Sequence, residues 1–515
     1  MLTPYQPLPL ADFRQPDEAE RMRAALASVA GQLGGRYPLR IGGHEVWSAE
    51  TIVSGNPAHD GQVVGTVAAA GTDHVLAAVD AATRAFEDWS RTDPDARARC
   101  LLKAAALLRS RIHEYCAWLV CEVSKTWPEA YAEAAEAVDF MEYYAREMMR
   151  LAGAHPVAPY PGEENELRYV PLGVGAVIAP WNFPLAILCG MATAAAVAGN
   201  TVVAKPSSSS PVVAARLFAL LDEAGFPAGV LNFVPGAGAQ VGDVLVSHPG
   251  VRFVSFTGSR EVGVRIFGMA AEVHPGQRWL KRTVLEMGGK DAIIVDSSAD
   301  LSSAADGVVA SAFGFQGQKC SACSRLIVVE DVHDRVLDAV ADRAMGLTVG
   351  DPADRETALG AVIDARAKAR IDAVIAEGST AGRLVVSGGS TPAGGAFVPP
   401  TVIADVAPDA RIAQEEIFGP VLAVLKARDF QHALEIANCT DYGLTGGVYS
   451  RDRRHLELAR REFHVGNLYF NRKCTGALVG VQPFGGFNMS GTNSKAGGPD
   501  YVGLFLQAKS ITERF

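Results

Sequence analysis

Several features that would narrow the class of this protein are missing from its sequence. No run of basic residues stands out, and 57 acidic against 47 basic residues leave a formal net charge of −10. A nucleic-acid-binding surface normally shows as a cluster of Lys and Arg, so nucleic acid is not an expected partner. The first ten residues lack the basic start and apolar run of a secretory signal, and prolines interrupt them. We therefore expect a cytoplasmic protein.

Metal-ligand and membrane-spanning patterns are also lacking. The eight cysteines are scattered over the chain without metal-ligand spacing, which favours reduced thiols and no metal site. One stretch without charged residues, 173–204, is long enough to be considered as a membrane span. It contains Pro180, Pro184 and the pair Gly199-Asn200, which a spanning helix would not be expected to hold. We interpret it as a buried strand, loop, helix and strand, and expect no membrane partner.

What the chain does have is length and a repeated alternation of elements. Its 515 residues, 49% of them hydrophobic, suffice for two or more domains. Strand-like and helix-like segments alternate over residues 174–256 and again over 291–470, which predicts α/β domains on parallel sheets with ligands at the carboxyl ends of the strands. Other predicted elements are helices over 17–31, 73–89, 94–125 and 128–152, a strand over 166–170 and a terminal strand over 502–511.

The stretch from Phe313 to Arg325 has the composition of a nucleophile site. Gly314 and Gly317 allow a tight backbone path, and small residues after Cys320 leave its thiol uncrowded. The same pattern fits an ordinary buried cysteine, or a Cys-x-x-Cys redox pair with Cys323. The redox motif normally opens a helix after a strand in a small fold, whereas this one lies past the middle of a long chain.

Polar side chains at glycine-rich junctions provide candidate partners for that thiol and for a nucleotide. Asn182 follows a buried strand, and Lys205 ends the next one. Residues 256–263 form a strand, a glycine turn and a helix start that presents N–H groups to a phosphate, although they lack the GxGxxG fingerprint. Glu286 precedes a pair of glycines, and residues 416–418 bring a carboxylate and an aromatic ring together. Each alone also has a structural interpretation, as a turn residue, a solvated cation or a cap.

Taken together, six motifs in this order make the chain resemble the aldehyde dehydrogenase superfamily over nearly its full length. They are Pro180-Trp181-Asn182-Phe183, Lys205-Pro206-Ser207, Phe256-Thr257-Gly258-Ser259, Glu286-Met287-Gly288-Gly289-Lys290, Gly317-Gln318-Lys319-Cys320 and Glu416-Ile417-Phe418-Gly419-Pro420. Further segments resemble the subfamily that oxidises L-glutamate γ-semialdehyde to L-glutamate, namely Cys320-Ser321-Ala322, Asn471-Arg472-Lys473, residues 475–480 and 483–487, and the ending from Ser490 to Phe515.

The resemblance implies an NAD-dependent oxidation through a cysteine thiohemiacetal and thioester. Two alternatives stay open. One is a related enzyme for another semialdehyde such as succinate semialdehyde, which the Gly476-Ala477 loop disfavours because it suits an amino-acid carboxylate. The other is a catalytically silent homologue, which the joint presence of Cys320, Glu286 and Asn182 disfavours.

Roles for individual residues follow from the resemblance. Cys320 is the implied nucleophile, which needs a lowered thiol pKa or a nearby base. Asn182 and the Cys320 backbone N–H would hold the oxyanion, and Glu286 would activate water, its pKa raised by burial. The implied cofactor-binding residues are Trp181, Lys205, Ser208, Gly258, Ser259, Glu416 and Phe418. The implied substrate-binding residues are Glu136, Phe183, Ser321, Gly476, Ala477 and Phe484.

Two of these positions carry alternatives. Many NAD-preferring relatives have Glu where this chain has Ser208, so NAD is expected and NADP stays open. Glu136 is expected to help shape the pocket, and a solvated helix glutamate is the competing interpretation. Ser321 and the backbone N–H groups of Gly476 and Ala477 are implied to bind the substrate α-carboxylate.

The implied architecture consists of two doubly wound parallel-sheet domains and a β flap. A Rossmann-like cofactor domain is expected over residues 1–156 and 173–287, and a catalytic domain over 288–470. An oligomerisation flap is expected over 157–172 and 490–515, with a substrate-anchoring loop region over 471–489. Unpaired strand edges in such a flap can be covered by another subunit, so we expect a homo-oligomer, a dimer or higher.

Overall fold

The computed structural model describes residues 3–515. In chain order the helices are α1 (Pro16–Ala30), α2 (Thr72–Trp89), α3 (Pro94–Ser110), α4 (Ile112–Val123), α5 (Trp127–Leu151), α6 (Ala186–Val197), α7 (Pro211–Ala224), α8 (Asp243–Ser247), α9 (Arg260–Ala271), α10 (Leu301–Phe313), α11 (His333–Met345), α12 (Ala365–Ala381), α13 (Arg411–Gln414), α14 (Phe430–Asn438) and α15 (Arg453–Glu462).

The strands are β1 (Gly35–Tyr37), β2 (Leu39–Ile41), β3 (His44–Val46), β4 (Thr51–Gly55), β5 (Val63–Ala68), β6 (Ala154–Pro156), β7 (Glu163–Pro171), β8 (Val174–Ile178), β9 (Thr201–Lys205), β10 (Leu231–Phe233), β11 (Val251–Thr257), β12 (Arg282–Glu286), β13 (Asp291–Val295), β14 (Cys323–Val329), β15 (Arg383–Ser387), β16 (Thr401–Ala404), β17 (Val421–Ala427), β18 (Tyr442–Gly443), β19 (Thr445–Tyr449), β20 (Asn467–Phe470), β21 (Phe487–Asn488) and β22 (Leu506–Arg514).

The first large sheet has the strand order β12-β11-β8-β9-β10-β2-β3, and β8 to β12 are parallel. Every residue of β8 and β9 is buried, as expected when helices cover both faces of a parallel sheet. From β8 the chain runs to β9 and β10 on one side and then returns to β11 and β12 on the other. The order therefore reverses between β8 and β11, and a crevice forms there at the carboxyl ends of the strands.

The second large sheet has the order β15-β16-β17-β14-β13-β19-β20 and is parallel except for the edge strand β15. The prediction of α/β architecture with parallel sheets is confirmed. A smaller antiparallel sheet joins β22 to β7 over nine residue pairs, with β6 on the far side of β7. Within residues 3–515, no helix has the length and apolar character needed to cross a bilayer.

Some predicted elements were wrong in detail. The helix predicted over 94–125 is divided into α3 and α4 at Arg111, whose φ of −116° and ψ of 19° are not helical. The Arg111 guanidinium instead forms two hydrogen bonds to the Glu223 carboxylate, at 2.6 and 2.7 Å. The terminal strand begins at Leu506 rather than at residue 502, after a short 3₁₀ turn. Strand β12, which ends at Glu286, was not predicted.

A buried carboxylate holds the start of α7. Glu122, at the end of α4, has no exposed surface and accepts hydrogen bonds of 2.7 Å from the Val212 and Val213 N–H groups and from the Ser54 hydroxyl. It does the work of an N-cap for α7, since the Ser210 side chain makes no capping bond. Helix α7 packs against β10, so this cap fixes the start of a helix that lies on one face of the first sheet.

Replacing Glu122 with Gln should destabilise the protein. Gln offers one acceptor oxygen for three donors, so at least one buried donor loses its partner, at a cost of about 1–3 kcal/mol. The measurement is the thermal unfolding midpoint. The control is Glu20→Gln, because the Glu20 side chain is 73% exposed in a surface pair with Arg23 and its loss should cost no more than about 1 kcal/mol. Equal midpoints for the two variants would contradict the capping role.

Candidate active site

The candidate residues meet between facing edges of the two large sheets. Asn182, Lys205, Gly258 and Glu286 follow or end β8, β9, β11 and β12, at the carboxyl edge of the first sheet. Cys320 lies three residues before β14 begins, at the amino edge of the second sheet. The candidate cofactor residues therefore lie at the kind of edge where a ligand is predicted, whereas the candidate nucleophile lies at the opposite kind of edge.

The loop that carries Cys320 has a constrained backbone. Phe315 and Gln316 both have positive φ, 51° and 56°, which costs non-glycine residues free energy. Buried hydrogen bonds hold this conformation, because the Gln316 amide donates to Ser124 O at 3.1 Å and to Ala361 O at 2.6 Å. At Gly317, φ is 67°, and a Cβ would lie 2.2 Å from Gly419 O, so only glycine fits.

Two hydrogen-bond donors flank the candidate thiol. Asn182 is 4% exposed, and its Nδ2 donates to Gln318 O at 2.9 Å, which ties the loop after β8 to the loop of Cys320. Nδ2 carries a second proton that has no acceptor among residues 3–515, and the Cys320 backbone N–H also has none in that range. The arrangement suits an oxyanion hole, which requires two donors free to converge on a developing charge.

The surroundings of Cys320 do not lower its thiol pKa, which was one of the two expected ways to activate it; the other was a nearby base. Burial, followed by the nearby carboxylates of Asp291, Glu416 and Glu286, raises the pKa of the Cys320 thiol well above its usual value. The surroundings of Cys320 thus favour the protonated thiol over the thiolate, so its attack on an aldehyde needs a base nearby.

Glu286 is the buried carboxylate suited to that role. It is 9% exposed, and burial raises its pKa to about 7. Its Oε1 accepts from the Ser494 hydroxyl at 2.5 Å and from the Ser494 N–H at 3.2 Å, and its Oε2 accepts from Gly486 N–H at 3.3 Å. These donors favour the carboxylate and limit the rise caused by burial. A carboxyl group with a pKa near working pH can take a proton from water or a thiol.

A fully buried ion pair supports the loops around the site. Lys125 Nζ lies 2.6 Å from Glu133 Oε2, and neither side chain is exposed. The ammonium also lies 3.5 Å from the ring centre of Phe183 and 4.3 Å from that of Phe315. The other Glu133 oxygen accepts from Leu185 and Ala186 N–H, at the start of α6. One pair thus joins the segment before α5, the loop after β8 and the loop before Cys320.

Several predicted cofactor residues have the chemistry for a nucleotide. Lys205 is 8% exposed rather than solvated, and within residues 3–515 its ammonium has one hydrogen-bond acceptor, Pro206 O at 3.3 Å. Two of its donors are therefore free for hydroxyl or phosphate oxygens. Glu416 accepts from Gly289 N–H at 3.1 Å, and burial raises its pKa to about 7. Its side chain fills the space beside Gly288, where a Cβ would lie 2.1 Å from Glu416 Oε2.

The remaining cofactor candidates lie around the same crevice. Trp181 and Phe418 contact edge to face, with ring centres 5.5 Å apart, and Phe418 has a φ of 56°. The Ser259 hydroxyl accepts from Val262 N–H at 3.4 Å and so caps α9 directly after Gly258. Ser208 is exposed beyond the end of β9, and its hydroxyl donates to Gly236 O at 3.4 Å. This set fits a dinucleotide at the carboxyl edge of the first sheet.

The predicted substrate side contains aromatic rings and a carboxylate. The Phe183 and Phe315 rings meet edge to face at 6.1 Å, and Phe484 is fixed by paired backbone hydrogen bonds to Ala496 at 2.7 and 2.8 Å. The Ser321 hydroxyl has no partner within residues 3–515. Glu136 is partly buried on α5, and burial together with the charge of Glu133 raises its pKa to about 8, which does not fit a solvated helix glutamate.

The loop after β20 presents unused backbone donors. Gly476 has a φ of 73°, in the region that favours glycine. Among residues 3–515, nothing accepts a hydrogen bond from the N–H groups of Gly476 and Ala477. Two adjacent free N–H groups form a concave donor pair that binds an anion such as a carboxylate.

The comparison with protein families decides the class of this chain. Residues 46–511 match the model of the aldehyde dehydrogenase family. The chain belongs to the aldehyde dehydrogenase family.

Individual relatives of this aldehyde dehydrogenase carry a more specific name. It is 59% identical over 515 residues to 1-pyrroline-5-carboxylate dehydrogenase of Geobacillus kaustophilus, covering 100% of both chains. A crystal structure of 1-pyrroline-5-carboxylate dehydrogenase from Thermus with bound NAD is 54% identical, with a TM-score of 0.98 and 100% coverage of both chains. Proline utilization A from Bdellovibrio bacteriovorus is 45% identical with a TM-score of 0.98, and the match covers 99% of this chain but 53% of that one.

Some residues that shape the site of this aldehyde dehydrogenase were missed from the sequence. Glu129 and Glu133 are the missed residues. They lie seven and three residues before the predicted Glu136, so all three share one face of a helix, and this pattern was a readable signal. Glu129 pairs with Lys319 at 2.7 Å, directly before Cys320. Ser494 offered no comparable signal, since it lies in a glycine-rich loop 208 residues from its partner.

Removing the Ser494 hydroxyl should shift the pH dependence of the reaction. The bond from this hydroxyl stabilises the Glu286 carboxylate, so Ser494→Ala should raise the Glu286 pKa by about one unit, the equivalent of one hydrogen bond of about 1.4 kcal/mol. A base with a higher pKa stays protonated up to a higher pH, so the acidic limb of the kcat–pH profile should move to higher pH. Ser494→Thr, which keeps the hydroxyl, serves as the control. An acidic limb that stays in place in Ser494→Ala would contradict the assignment.

Proposed function

We propose that this aldehyde dehydrogenase oxidises L-glutamate γ-semialdehyde, which equilibrates with 1-pyrroline-5-carboxylate, to L-glutamate with NAD⁺, as a step in proline breakdown. The observation that carries the proposal is the pair of free N–H groups at Gly476 and Ala477. Their loop lies beside that of Cys320, since Cys474 Sγ is 3.5 Å from Ser321 O. An amino-acid semialdehyde carries a carboxylate at one end and a reactive carbonyl at the other. The names of the full-length relatives support the same substrate.

In the first step Cys320 attacks the aldehyde carbon. Because the thiol is neutral, its proton goes to the Glu286 carboxylate, directly or through a water molecule, as the C–S bond forms. The carbonyl π electrons move to oxygen, and the oxyanion of the thiohemiacetal accepts from Asn182 Nδ2 and from the Cys320 N–H. Each such donor in a preorganised site is worth about 2.7–4 kcal/mol of transition-state stabilisation.

Hydrolysis completes the reaction. NAD⁺, when bound, accepts the hydride from the thiohemiacetal carbon, which leaves a thioester on Cys320. Glu286, having lost its first proton to solvent, takes a proton from water as the hydroxide attacks the thioester carbon. The C–S bond breaks, and the Cys320 thiolate that leaves takes the proton held by Glu286, which restores both groups. The carboxylic acid departs and loses its proton to solvent. The balance is one aldehyde, one water and one NAD⁺ to one carboxylate, one NADH and two protons.

Cofactor and domain assignments follow from the same geometry. Lys205 and Glu416 are suited to the two ribose groups, Trp181 and Phe418 flank the crevice, and Ser259 begins a helix beside it. We assign residues 1–156 and 173–287 to cofactor binding, 288–470 to catalysis and 471–489 to substrate anchoring.

NAD is favoured as the cofactor by the relative that binds it. The exposed Ser208 provides no carboxylate that would repel the 2′-phosphate of NADP. The free cysteines suit a cytoplasmic setting.

A panel of aldehydes tests the proposed reaction. NADH formation should be most efficient, by kcat/KM, with L-glutamate γ-semialdehyde, followed by semialdehydes without the amino group, and least efficient with unsubstituted aldehydes such as pentanal. The reason is that only the first places a carboxylate at the Gly476-Ala477 donors with the amino group beside it. A preference for succinate semialdehyde would replace the proposed substrate with that alternative.

A variant of the nucleophile completes this test. Cys320→Ala should reduce NADH formation to background while NAD⁺ still binds, measured by calorimetry. Cys323→Ala is the matched control, because Cys323 is buried in the core and its Sγ faces Arg325 O at 3.4 Å. Activity that survives in Cys320→Ala would reject the mechanism.

The flap sheet supports a homo-oligomer, which we propose with residues 157–172 and 490–515 as the assembly element. Strand β22 pairs with β7 along one edge, and its other edge has no partner strand within residues 3–515. Open edges of this length are normally covered. Light scattering coupled to gel filtration should give a dimer or a larger assembly, and introducing a negative charge at the edge with Ile511→Glu should lower its mass. A monomeric wild-type protein would contradict the proposal.

A further inference from the structure

The loop that presents the free N–H groups is held by one arginine. Arg472 Nη2 donates to Thr475 O at 3.1 Å and to Gly476 O at 3.2 Å, and its Nε donates to Lys473 O at 3.2 Å. One guanidinium thus binds three carbonyls within four residues of itself. Among residues 3–515, no other side chain donates to the carbonyls of Thr475 and Gly476.

Because of peptide geometry, these contacts also set the direction of the N–H groups on the opposite side of the loop. No cis peptide bond occurs in residues 3–515, and in a trans peptide the C=O and the following N–H point in opposite directions. The carbonyl of Thr475 shares a peptide with the N–H of Gly476, and the carbonyl of Gly476 shares one with the N–H of Ala477. When Arg472 draws both carbonyls to one side, both N–H groups are turned to the other.

Arg472 is itself held in place. Its guanidinium lies 4.6 Å from the ring centre of Tyr469, a residue of β20 that is 5% exposed. The far end of the loop is fixed separately, because Tyr5 Oη donates to Val479 O at 3.1 Å and Gly480 N–H donates to Gly497 O at 2.8 Å. Between these two fixed ends, Arg472 is the side chain that sets the direction of the peptides at 475–477.

Charge alone does not account for this arrangement. Lys473 already brings a cation to the loop, since its Nζ is 3.5 Å from the point where a Cβ on Gly476 would lie. What Arg472 adds is a planar set of donors with fixed directions, which a lysine ammonium cannot reproduce. Its positive charge next to the carbonyl oxygens also polarises the two peptides and makes their N–H groups better donors.

We propose that Arg472 is the positioning residue of the substrate carboxylate site: it binds the outer carbonyls of the loop and thereby directs the N–H groups of Gly476 and Ala477 at the carboxylate. The inference rests on the proposed function, because it assumes a substrate with a carboxylate at this loop. It makes Arg472 a determinant of selectivity among aldehydes without contact to the substrate.

The test compares two substrates in two variants. Arg472→Lys keeps the charge and loses the directed donors, and Arg472→Gln loses both. With L-glutamate γ-semialdehyde, KM should rise by about tenfold to a hundredfold in both variants, with a smaller change in kcat, because the lost contact positions a remote part of the substrate. With pentanal, which has no carboxylate, kcat/KM should stay within about twofold of the wild type, which also shows that the site is folded.

The inhibition constant of the product L-glutamate gives a second readout and should weaken in parallel. Arg454→Lys is the matched control, since its side chain is 88% exposed in a local pair with Asp452. A wild-type enzyme that does not prefer carboxylate-bearing aldehydes would remove the proposed function. If the wild type prefers carboxylate-bearing aldehydes but Arg472→Lys keeps the wild-type KM, the role of Arg472 is overturned. Equal losses of activity on pentanal and on L-glutamate γ-semialdehyde would overturn it as well.

Discussion

The buried ion pair of Lys125 and Glu133 is the contact on which the geometry of the site depends. Two charges removed from water are stable only when their remaining hydrogen-bonding capacity is met. Here one Glu133 oxygen accepts from N–H groups at the start of α6, and the rings of Phe183 and Phe315 attract the Lys125 ammonium through cation–π contacts. Because these partners belong to the loop after β8 and to the loop before Cys320, the proposed oxyanion donors and the proposed nucleophile share one support. The strained Phe315 and Gln316 are tolerated because this support determines their conformation from several sides.

The acidic groups of the site have different electrostatic effects. Burial, followed by the carboxylates around Cys320, raises its thiol pKa, which favours a protonated thiol until a proton acceptor takes the proton during attack. Glu286 can be that acceptor because burial raises its pKa while the Ser494 and Gly486 donors prevent the rise from going too far. The balance of burial against three hydrogen bonds leaves the group poised near neutral pH, where a general base is most useful.

Much of this could be predicted from the sequence, and the limits have physical causes. Most strands after residue 174, though not β12, and the short motifs at their ends were predictable, because each is a contiguous segment whose hydrophobic run and glycine turn are local properties. The break at Arg111 was not, since no glycine or proline marks it and the partner Glu223 is 112 residues away. The Glu122 cap of α7 and the Ser494 bond to Glu286 were likewise invisible, because a long-range contact leaves no trace in the spacing of nearby residues.

The position of the site between a carboxyl edge of one sheet and an amino edge of the other has an evolutionary consequence. The groups suited to the nucleotide come mostly from β8 to β12, whereas the Gly476-Ala477 donors and Phe484 come from a short segment near the C-terminal end of the chain. The proposed nucleotide site and the proposed carboxylate site are therefore encoded mostly in separate stretches of sequence. Gly486 supports Glu286, so the stretch that can vary without affecting the proposed base is residues 472–480. Drift or recombination there can change which aldehyde is accepted while the proposed groups for hydride removal and thioester hydrolysis are retained.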